Sequence, residues 1–262
     1  MKKIIAVHSY KGGTGKTLMS TNLAAIFAME KRKVSLFDMD FRAPSLHAIF
    51  KVDEANYWLN DYLNGVCDIK RVIIDYSERV KGPLYLGLAN PSTEAIREMS
   101  AKDRKWEMKA LGRLLSLRNT LLNDLEFDYL ILDTSPGLQY SSINAIVSAD
   151  TVIVVTTMDI SDIEGTQRMV HELYDLFEKK TGIIVNKVPI EMISSLEERE
   201  RLRKKYEEIS DLPVIDVLPC FCDVLRLGGN TIFSLEKPEH PFTKILHLSL
   251  IHISEPTRLG MI

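Results

Sequence analysis

The chain has 262 residues, 45% of them hydrophobic and 26% charged, with a formal net charge of −3. This size and hydrophobic content predict one α/β domain with a substantial core. The near-neutral charge excludes a strong overall attraction to DNA or anionic lipid and leaves room only for a local patch. Three unevenly spaced cysteines are too few for a disulfide framework, which favours a reducing cytoplasm. The apolar start of the chain breaks at His8, which disfavours a secretory signal, and no apolar run approaches transmembrane length.

Short apolar segments alternate with longer helical patterns along the chain. We predict strands at 3–8, 33–38, 84–89, 129–133, 151–156, 182–186 and 214–218. We predict helices at 16–30, 54–64, 102–124, 139–148, 161–179 and 194–209. Several strands are β-branched and flanked by turns, which is typical of parallel strands buried on both faces. The alternation predicts an α/β fold, a doubly wound, mostly parallel sheet flanked by helices, with ligands at the carboxyl ends of the strands.

A glycine-rich loop follows the first predicted strand and opens the first predicted helix. Its sequence is Lys11-Gly12-Gly13-Thr14-Gly15-Lys16-Thr17. Three glycines allow backbone N–H groups to turn onto an anion, and the N-terminus of the helix adds partial positive charge. Lys16 would lie along the terminal phosphates, and the Thr17 hydroxyl would ligate Mg²⁺. The motif therefore predicts a phosphate-binding loop for a nucleotide.

Carboxylates follow two of the buried strands. Asp38 and Asp40 end the second strand, and Asp133 ends the pattern at 129–133. A fixed carboxylate beside the phosphate loop can hold Mg²⁺ or orient an attacking water, which is most of what phosphoanhydride hydrolysis requires. The alternative for Asp38 and Asp40 is structural, because a strand-end Asp pair is commonly a turn or a helix cap.

Lys11 is the unusual residue of the loop, since Lys16 alone serves an ordinary phosphate loop. On its own, Lys11 would be a solvated lysine. With it, the motif resembles the deviant Walker A ATPases, the group of MinD, ParA, Mrp and the nitrogenase iron protein. The resemblance covers about residues 1–246. It implies a P-loop NTPase fold and a homodimer with two ATP–Mg²⁺ between its subunits, in which Lys11 reaches the phosphates of the other subunit.

The resemblance also implies roles for the acidic segments. Asp40 matches the switch I aspartate that positions water, and Asp38 lies near the Mg²⁺ shell. Switch I would continue through 41–46, with Pro44 inside it.

Residues 133–137 resemble a Walker B strand followed by switch II. Asp133 would hold Mg²⁺ through water or through the Thr17 hydroxyl. Pro136 and Gly137 would belong to the segment that moves when the terminal phosphate leaves.

The nucleotide base is assigned by the same resemblance. Asn186, at the end of a strand, matches the asparagine that pairs with adenine, and the backbone at Pro219 would also contact the base. An asparagine after a strand is otherwise an ordinary turn residue. Leu18 departs from the family, in which many members carry a threonine that contacts the α-phosphate. We expect slightly altered affinity from this departure.

Three classes of function are consistent with these motifs. The leading one is a slowly hydrolysing ATPase switch in the positioning or partitioning of the division site, chromosome or an organelle. Its activator or cargo is unidentified, and peripheral association with membrane or DNA is not visible in the sequence. The second is a metal or iron–sulfur maturation factor that uses Cys220 and Cys222, although no third ligand is evident and inert buried thiols are favoured. The third is a non-hydrolysing ATP-binding scaffold, which the intact Lys11, Lys16, Asp40 and Asp133 disfavour.

The end of the chain has a different character. Residues 248–258 resemble the translation of a transposon-end sequencing adapter. We therefore expect an ATPase domain over 1–247, a non-native, loosely packed tail over 248–262, and a natural C-terminus that is missing. The alternative is a real, poorly patterned C-terminal strand.

Overall fold

The computed structural model describes residues 2–174, 177 and 179–254. Within these residues eight strands form one sheet: β1 (Lys3–His8), β2 (Val34–Met39), β3 (Ile74–Asp75), β4 (Leu84–Gly87), β5 (Tyr129–Thr134), β6 (Thr151–Thr156), β7 (Lys180–Val188) and β8 (Val214–Pro219). Their order is β3-β4-β2-β5-β1-β6-β7-β8. Every neighbouring pair is parallel except β3 and β4. The predicted doubly wound, mostly parallel sheet is confirmed.

Helices cover both faces of the sheet. They are α1 (Lys16–Met29), α2 (Leu46–Phe50), α3 (Leu59–Asn64), α4 (Ser77–Val80), α5 (Thr93–Ser100), α6 (Arg104–Asn119), α7 (Tyr140–Ser148), α8 (Ile160–Met169), α9 (Leu196–Ser210), α10 (Cys222–Arg226), α11 (Phe233–Glu236) and α12 (Pro241–Ser254). Short π-helical turns continue α6 over Thr120–Asp124 and α8 over Val170–Tyr174. In the described parts of the chain, no helix combines the length and apolarity needed to span a membrane.

The central strands are mostly apolar because each face of the sheet has its own core. Along β5, Leu130 and Leu132 pack into one core, whereas Tyr129 and Ile131 pack into the other. All four side chains are at most 5% exposed. Successive strand residues point to opposite faces, so a strand covered on both sides is apolar along most of its length rather than at alternate positions. Each fully buried aliphatic side chain contributes about 1.5–3 kcal/mol.

The predicted elements all overlap observed ones, with differences at their ends. The helix predicted at 54–64 begins only at Leu59. Residues 175, 176 and 178 of the helix predicted at 161–179 lie outside the described residues. The two-residue strand β3 and the short helices α2, α4, α5, α10 and α11 were not predicted, because so few side chains do not establish a period.

The start of the predicted tail continues α12 through Ser254. Ser249 is fully buried, and its hydroxyl donates to Asp216 Oδ2 at 2.9 Å. The expectation of loose packing is therefore wrong at Ser249, and the alternative of a strand is wrong over 248–254. Residues 255–262 lie outside the described part of the chain, and the boundary at 247 stays a prediction.

Two glycines provide opposite tests of this packing. A Cβ at Gly82 would lie 2.1 Å from the Ala28 carbonyl oxygen, and backbone cannot move aside easily. A Cβ at Gly112, inside α6, would meet nothing within 4 Å. We expect Gly82→Ala to lower the free energy of unfolding by about 1–3 kcal/mol. Gly112→Ala should raise it by about 0.5–1 kcal/mol, because alanine favours a helix over glycine. Urea denaturation measures both, and changes of the same sign would contradict the packing.

Candidate functional site

Parallel strand pairing gathers the predicted site at one edge of the sheet. Val7 of β1 and Asp38 of β2 both lie beside Asp133 of β5 in the register of the sheet. The loop after β1 therefore meets both strand-end carboxylates. This is the carboxyl edge, where open α/β sheets bind their ligands.

The loop has the backbone that its glycines predict. Gly13 and Gly15 have φ values of 77° and 106°, a region that side chains other than glycine rarely adopt. A Cβ at Gly15 would also lie 2.4 Å from the Asn186 amide nitrogen. Helix α1 begins at Lys16, so its unpaired N–H groups face the same space.

Asp133 is the centre of a buried hydrogen-bond network. The Thr17 and Ser20 hydroxyls donate to its two carboxylate oxygens, each at 2.8 Å. Asp133 is 1% exposed, and burial raises its pKa to about 6 against the opposing effect of these hydroxyls and Lys16. Sequence reasoning missed Ser20. Its position three residues after Thr17, on the same helix face, was the available signal.

Lys16 is nearly buried and is held by Ser9. Its ammonium group donates to the Ser9 hydroxyl at 2.8 Å, and the side chain lies close enough to Asp133 and Asp40 to feel their charges. Burial lowers the pKa of Lys16, and the carboxylates partly oppose this shift. Ser9 was not predicted, because it precedes the motif and carries no spacing signal.

Asp38 and Asp40 organise the segment that follows them. Asp38 is 1% exposed and accepts backbone N–H groups from Asp40, Ser45 and Leu46 at 3.0–3.2 Å. Burial and the charge of Asp133 raise its pKa to about 8. The half-buried Asp40 accepts N–H groups from the backbone two and three residues ahead. Both carboxylates thus make the turn and cap contacts that the structural alternative for a strand-end Asp pair predicts. These contacts hold the loop that contains Pro44 beside the phosphate loop.

The segment after Asp133 packs directly against the phosphate loop. The Gly137 N–H group donates to the Ser9 carbonyl at 2.9 Å, and Gly137 has a φ of 73°. Pro136 lies 4.0 Å from the position that a Cβ on Gly12 would take. Any rearrangement of this segment therefore changes contacts of the loop itself.

His8, at the end of β1, was missed as part of the site. Its Nδ1 lies 2.7 Å from the Thr134 hydroxyl, which in turn donates to the Val7 carbonyl at 2.9 Å. A hydroxyl has one hydrogen to donate, so when Thr134 donates to the Val7 carbonyl, His8 Nδ1 is the donor in its contact with Thr134. Burial, followed by the charge of Lys16, lowers the His8 pKa to about 3. His8 is therefore a neutral donor beneath the loop.

Lys11 lies at the rim rather than beside Lys16. Its ammonium group is 2.9 Å from Asp159 Oδ1 and also bonds the Ser161 hydroxyl, both at the start of α8. The Lys11 and Asp159 side chains are 39% and 59% exposed. This contact joins residues 148 positions apart, so no local pattern could have predicted it.

The predicted base contacts lie together on the other side of the loop. Leu18, Asn186 and Pro219 line a cavity of about 20 Å³ with Phe221 and Val224, which were not predicted. That volume is room for about one water molecule. The Asn186 amide nitrogen donates to the Thr14 carbonyl at 2.8 Å.

The two C-terminal cysteines are free thiols. Cys220 lines the small cavity described above and is half-buried, whereas Cys222 is exposed, so the expectation of a buried thiol is wrong at Cys222. Within the described residues, no three His, Cys, Asp or Glu side chains are placed together to hold a metal ion. The structure therefore supplies no ligand set that would favour the metal-maturation alternative.

The surroundings of Asp133 fit a magnesium ion that is shared with phosphates. Carboxylate and hydroxyl oxygens are the ligands that Mg²⁺ prefers, and Asp133 and Thr17 provide them side by side. Burial raises the pKa of both Asp38 and Asp133, because it disfavours their negative charge. A divalent cation would compensate this charge.

These features define a nucleotide-binding protein of the P-loop class. They are a glycine-rich loop between a strand and a helix, a buried lysine in that loop, and a carboxylate at the end of a neighbouring parallel strand. Residues 2–188 match a family model described as an AAA domain, AAA_31. The chain belongs to this family and is a P-loop ATPase of the MinD/ParA type.

Known proteins resemble the chain along most of its length. It is 34% identical over 215 residues to an uncharacterized ATP-binding protein of Methanocaldococcus jannaschii, covering 82% of this chain and 73% of that protein. It is 28% identical over 223 residues to the septum site-determining protein MinD of Synechocystis, covering 84% and 76%. The structure of MinD from Pyrococcus horikoshii, complexed with Mg-ADP, has a TM-score of 0.77 at 24% identity, covering 99% and 98%.

The low pKa of His8 predicts a specific pH dependence. Below pH 6.5, the ordinary pKa of histidine, His8 takes up a proton in the unfolded chain. In the folded protein His8 stays neutral down to about pH 3. His8 therefore destabilises the fold progressively as the pH falls through this range. We expect His8→Asn, whose amide can still donate to Thr134, to reduce the slope of unfolding free energy near pH 5. The reduction should be about 1 kcal/mol per pH unit.

Urea denaturation between pH 4.5 and 7 measures this slope. Equal slopes for wild type and His8→Asn would contradict the buried neutral imidazole.

Proposed function

We propose that this chain is an ATP-binding, slowly hydrolysing dimerisation switch in spatial positioning or partitioning. The observation that carries the proposal is the pairing of a complete phosphate site with a second lysine at its rim. Lys16, Thr17 and Asp133 form the site, and Lys11 stands outside it at the carboxyl edge of the sheet, an edge that also carries exposed apolar side chains. These side chains follow the carboxyl ends of β5 to β8 and are 48–74% exposed: Leu138, Tyr140, Ile160, Ile190 and Leu225.

A second subunit facing this edge would bury those apolar side chains. Exposed apolar groups that border a polar site are typical of interfaces. Lys11 would exchange its exposed contact with Asp159 for the phosphates of the partner. ATP would bind this dimeric arrangement better than the monomer and so shift the population towards it.

Each residue of the site has a defined task in the proposed hydrolysis. The loop N–H groups and Lys16 would bind the phosphates, while Thr17 and Asp133 would hold Mg²⁺, with Asp38 behind them. The metal supplies charge neutralisation on the phosphate oxygens. Asp40, which is near enough to influence Lys16 and Asp133, would orient the attacking water. The contact between Gly137 and Ser9 provides a direct path from phosphate loss to the switch II segment.

Adenine selectivity follows from the orientation of Asn186. Its amide nitrogen already donates to the Thr14 carbonyl, so its amide oxygen is left to accept a hydrogen bond. The 6-amino group of adenine can donate to this oxygen, whereas the 6-oxo group of guanine cannot. The cavity beside Leu18 and Pro219 is too small for a purine, so Phe221 would move when the base enters.

A role in positioning is supported by the relatives, one of which is named for septum site determination. The cargo or activator would be a separate protein, and the working surface would be a membrane or the nucleoid within the cytoplasm. Neither the thiols nor the rest of the described residues provide an observation that favours the metal-maturation or scaffold alternatives.

The two lysines separate binding from dimer-dependent turnover. We expect Lys16→Ala to weaken Mg-ATP binding at least tenfold, because it removes the buried cation of the site. Lys11→Ala should retain most of the affinity but lose the rise in specific ATPase activity with protein concentration. Calorimetric titration and a phosphate-release assay at several protein concentrations measure these effects.

Lys244→Ala is the matched control. Lys244 is also an exposed lysine paired with a carboxylate, Glu239, and it lies on α12 away from the site. This variant should behave as the wild type. If Lys11→Ala has the same ATPase activity as the wild type at every protein concentration, the proposed cross-subunit role of Lys11 is contradicted.

A further inference from the structure

Two consecutive residues at the end of β7 both reach the phosphate loop. The Asn186 amide nitrogen donates to the Thr14 carbonyl at 2.8 Å, and the Lys187 ammonium group donates to the Gly13 carbonyl at 2.6 Å. In a regular strand, successive side chains point to opposite faces. Contact by both residues with one loop therefore requires a distortion of the strand.

The distortion is present at Lys187. This residue has a φ of 59°, in the left-handed region that non-glycine residues seldom occupy. The pairing of β7 with β8 also shifts register between Val185 and Val188. Residues held in such strained conformations concentrate at functional sites, where the surrounding structure maintains them.

The two carbonyl contacts have a geometric consequence for the loop. In a planar trans peptide, the carbonyl and the N–H of the next residue point in opposite directions. Lys187 holds the Gly13 carbonyl and thereby turns the Thr14 N–H to the other side. Asn186 holds the Thr14 carbonyl and does the same for the Gly15 N–H.

We propose that Lys187, acting with Asn186, is a positioning residue that orients the Thr14 and Gly15 N–H groups for phosphate binding. The left-handed backbone at Lys187 allows the adjacent side chains of Asn186 and Lys187 to donate hydrogen bonds to the adjacent carbonyls of the loop. Gly15 fits this arrangement, since a Cβ there would collide with the Asn186 amide. The inference rests on the proposed nucleotide function for the identity of the ligand. The two hydrogen bonds from Asn186 and Lys187 to the loop carbonyls are present without a ligand.

Substitutions at Lys187 separate this role from a merely structural one. In the nucleotide-free protein, Lys187→Met should lower the NMR order parameters of the Thr14 and Gly15 amides from about 0.85 to below about 0.6. It should also weaken Mg-ADP binding at least tenfold by calorimetric titration. Lys187→Gly should show the same two losses while its melting temperature rises, because glycine accepts the left-handed backbone. Lys187→Arg, which keeps a cation, should retain most of the affinity.

Lys81 supplies the matched control. It is also a lysine with a left-handed backbone, at a φ of 56°, and it follows α4 rather than the site. Lys81→Gly should raise the melting temperature with no change in loop order or Mg-ADP affinity.

The outcomes distinguish this inference from the proposed function. Unchanged order parameters of the Thr14 and Gly15 amides in Lys187→Met would overturn the positioning role. A Lys187→Gly variant in which both the melting temperature and the Mg-ADP affinity fall would also overturn it. If Lys187→Met increases the motion of the loop but the wild-type protein binds no Mg-ADP, the positioning role of Lys187 is supported and the proposed nucleotide function is refuted.

Discussion

The parallel register of β5 with β1 and β2 is the constraint from which the rest of the site follows. It places Asp133 beside Asp38 and beside the strand that leads into the phosphate loop. Buried carboxylates are costly unless they are hydrogen-bonded or paired. Asp133 is satisfied by hydroxyls on α1, and Asp38 by backbone N–H groups of the segment after β2. The same contacts that relieve the buried charges thus fix α1 and the loop after β2 in place.

The residual electrostatic cost explains why the site favours a ligand. Burial raises the pKa of Asp38 and Asp133 and lowers that of Lys16, so burial favours the neutral form of each group in the free protein. Phosphates beside Lys16 and a divalent cation beside Asp133 would favour the charged form of each. Lys11, in contrast, makes an exposed ion pair with Asp159 and a hydrogen bond to the Ser161 hydroxyl, and exposed ion pairs contribute little. Releasing it towards a second subunit therefore costs little.

Local sequence patterns predicted the parts of this arrangement that depend on local physics. Apolar β-branched runs gave the buried strands, and the loop glycines anticipated the positive φ values at Gly13 and Gly15. Contacts between distant segments could not be predicted in this way. The pairing of Lys11 with Asp159 and the grip of Lys187 on Gly13 each join residues more than a hundred positions apart. His8 was overlooked because a single histidine at a strand end carries no pattern until Thr134 is known to lie beside it.

The central claim is that ATP, rather than ADP, joins two copies of this chain at the carboxyl edge of the sheet. The most direct measurement is the mass in solution, by light scattering, of the Asp40→Ala variant with Mg-ATP and with Mg-ADP. Removing Asp40, the carboxylate proposed to orient the attacking water, should preserve ATP during the measurement. The account predicts a monomer with Mg-ADP and twice that mass with Mg-ATP. Equal masses with both nucleotides, each shown to be bound, would contradict it.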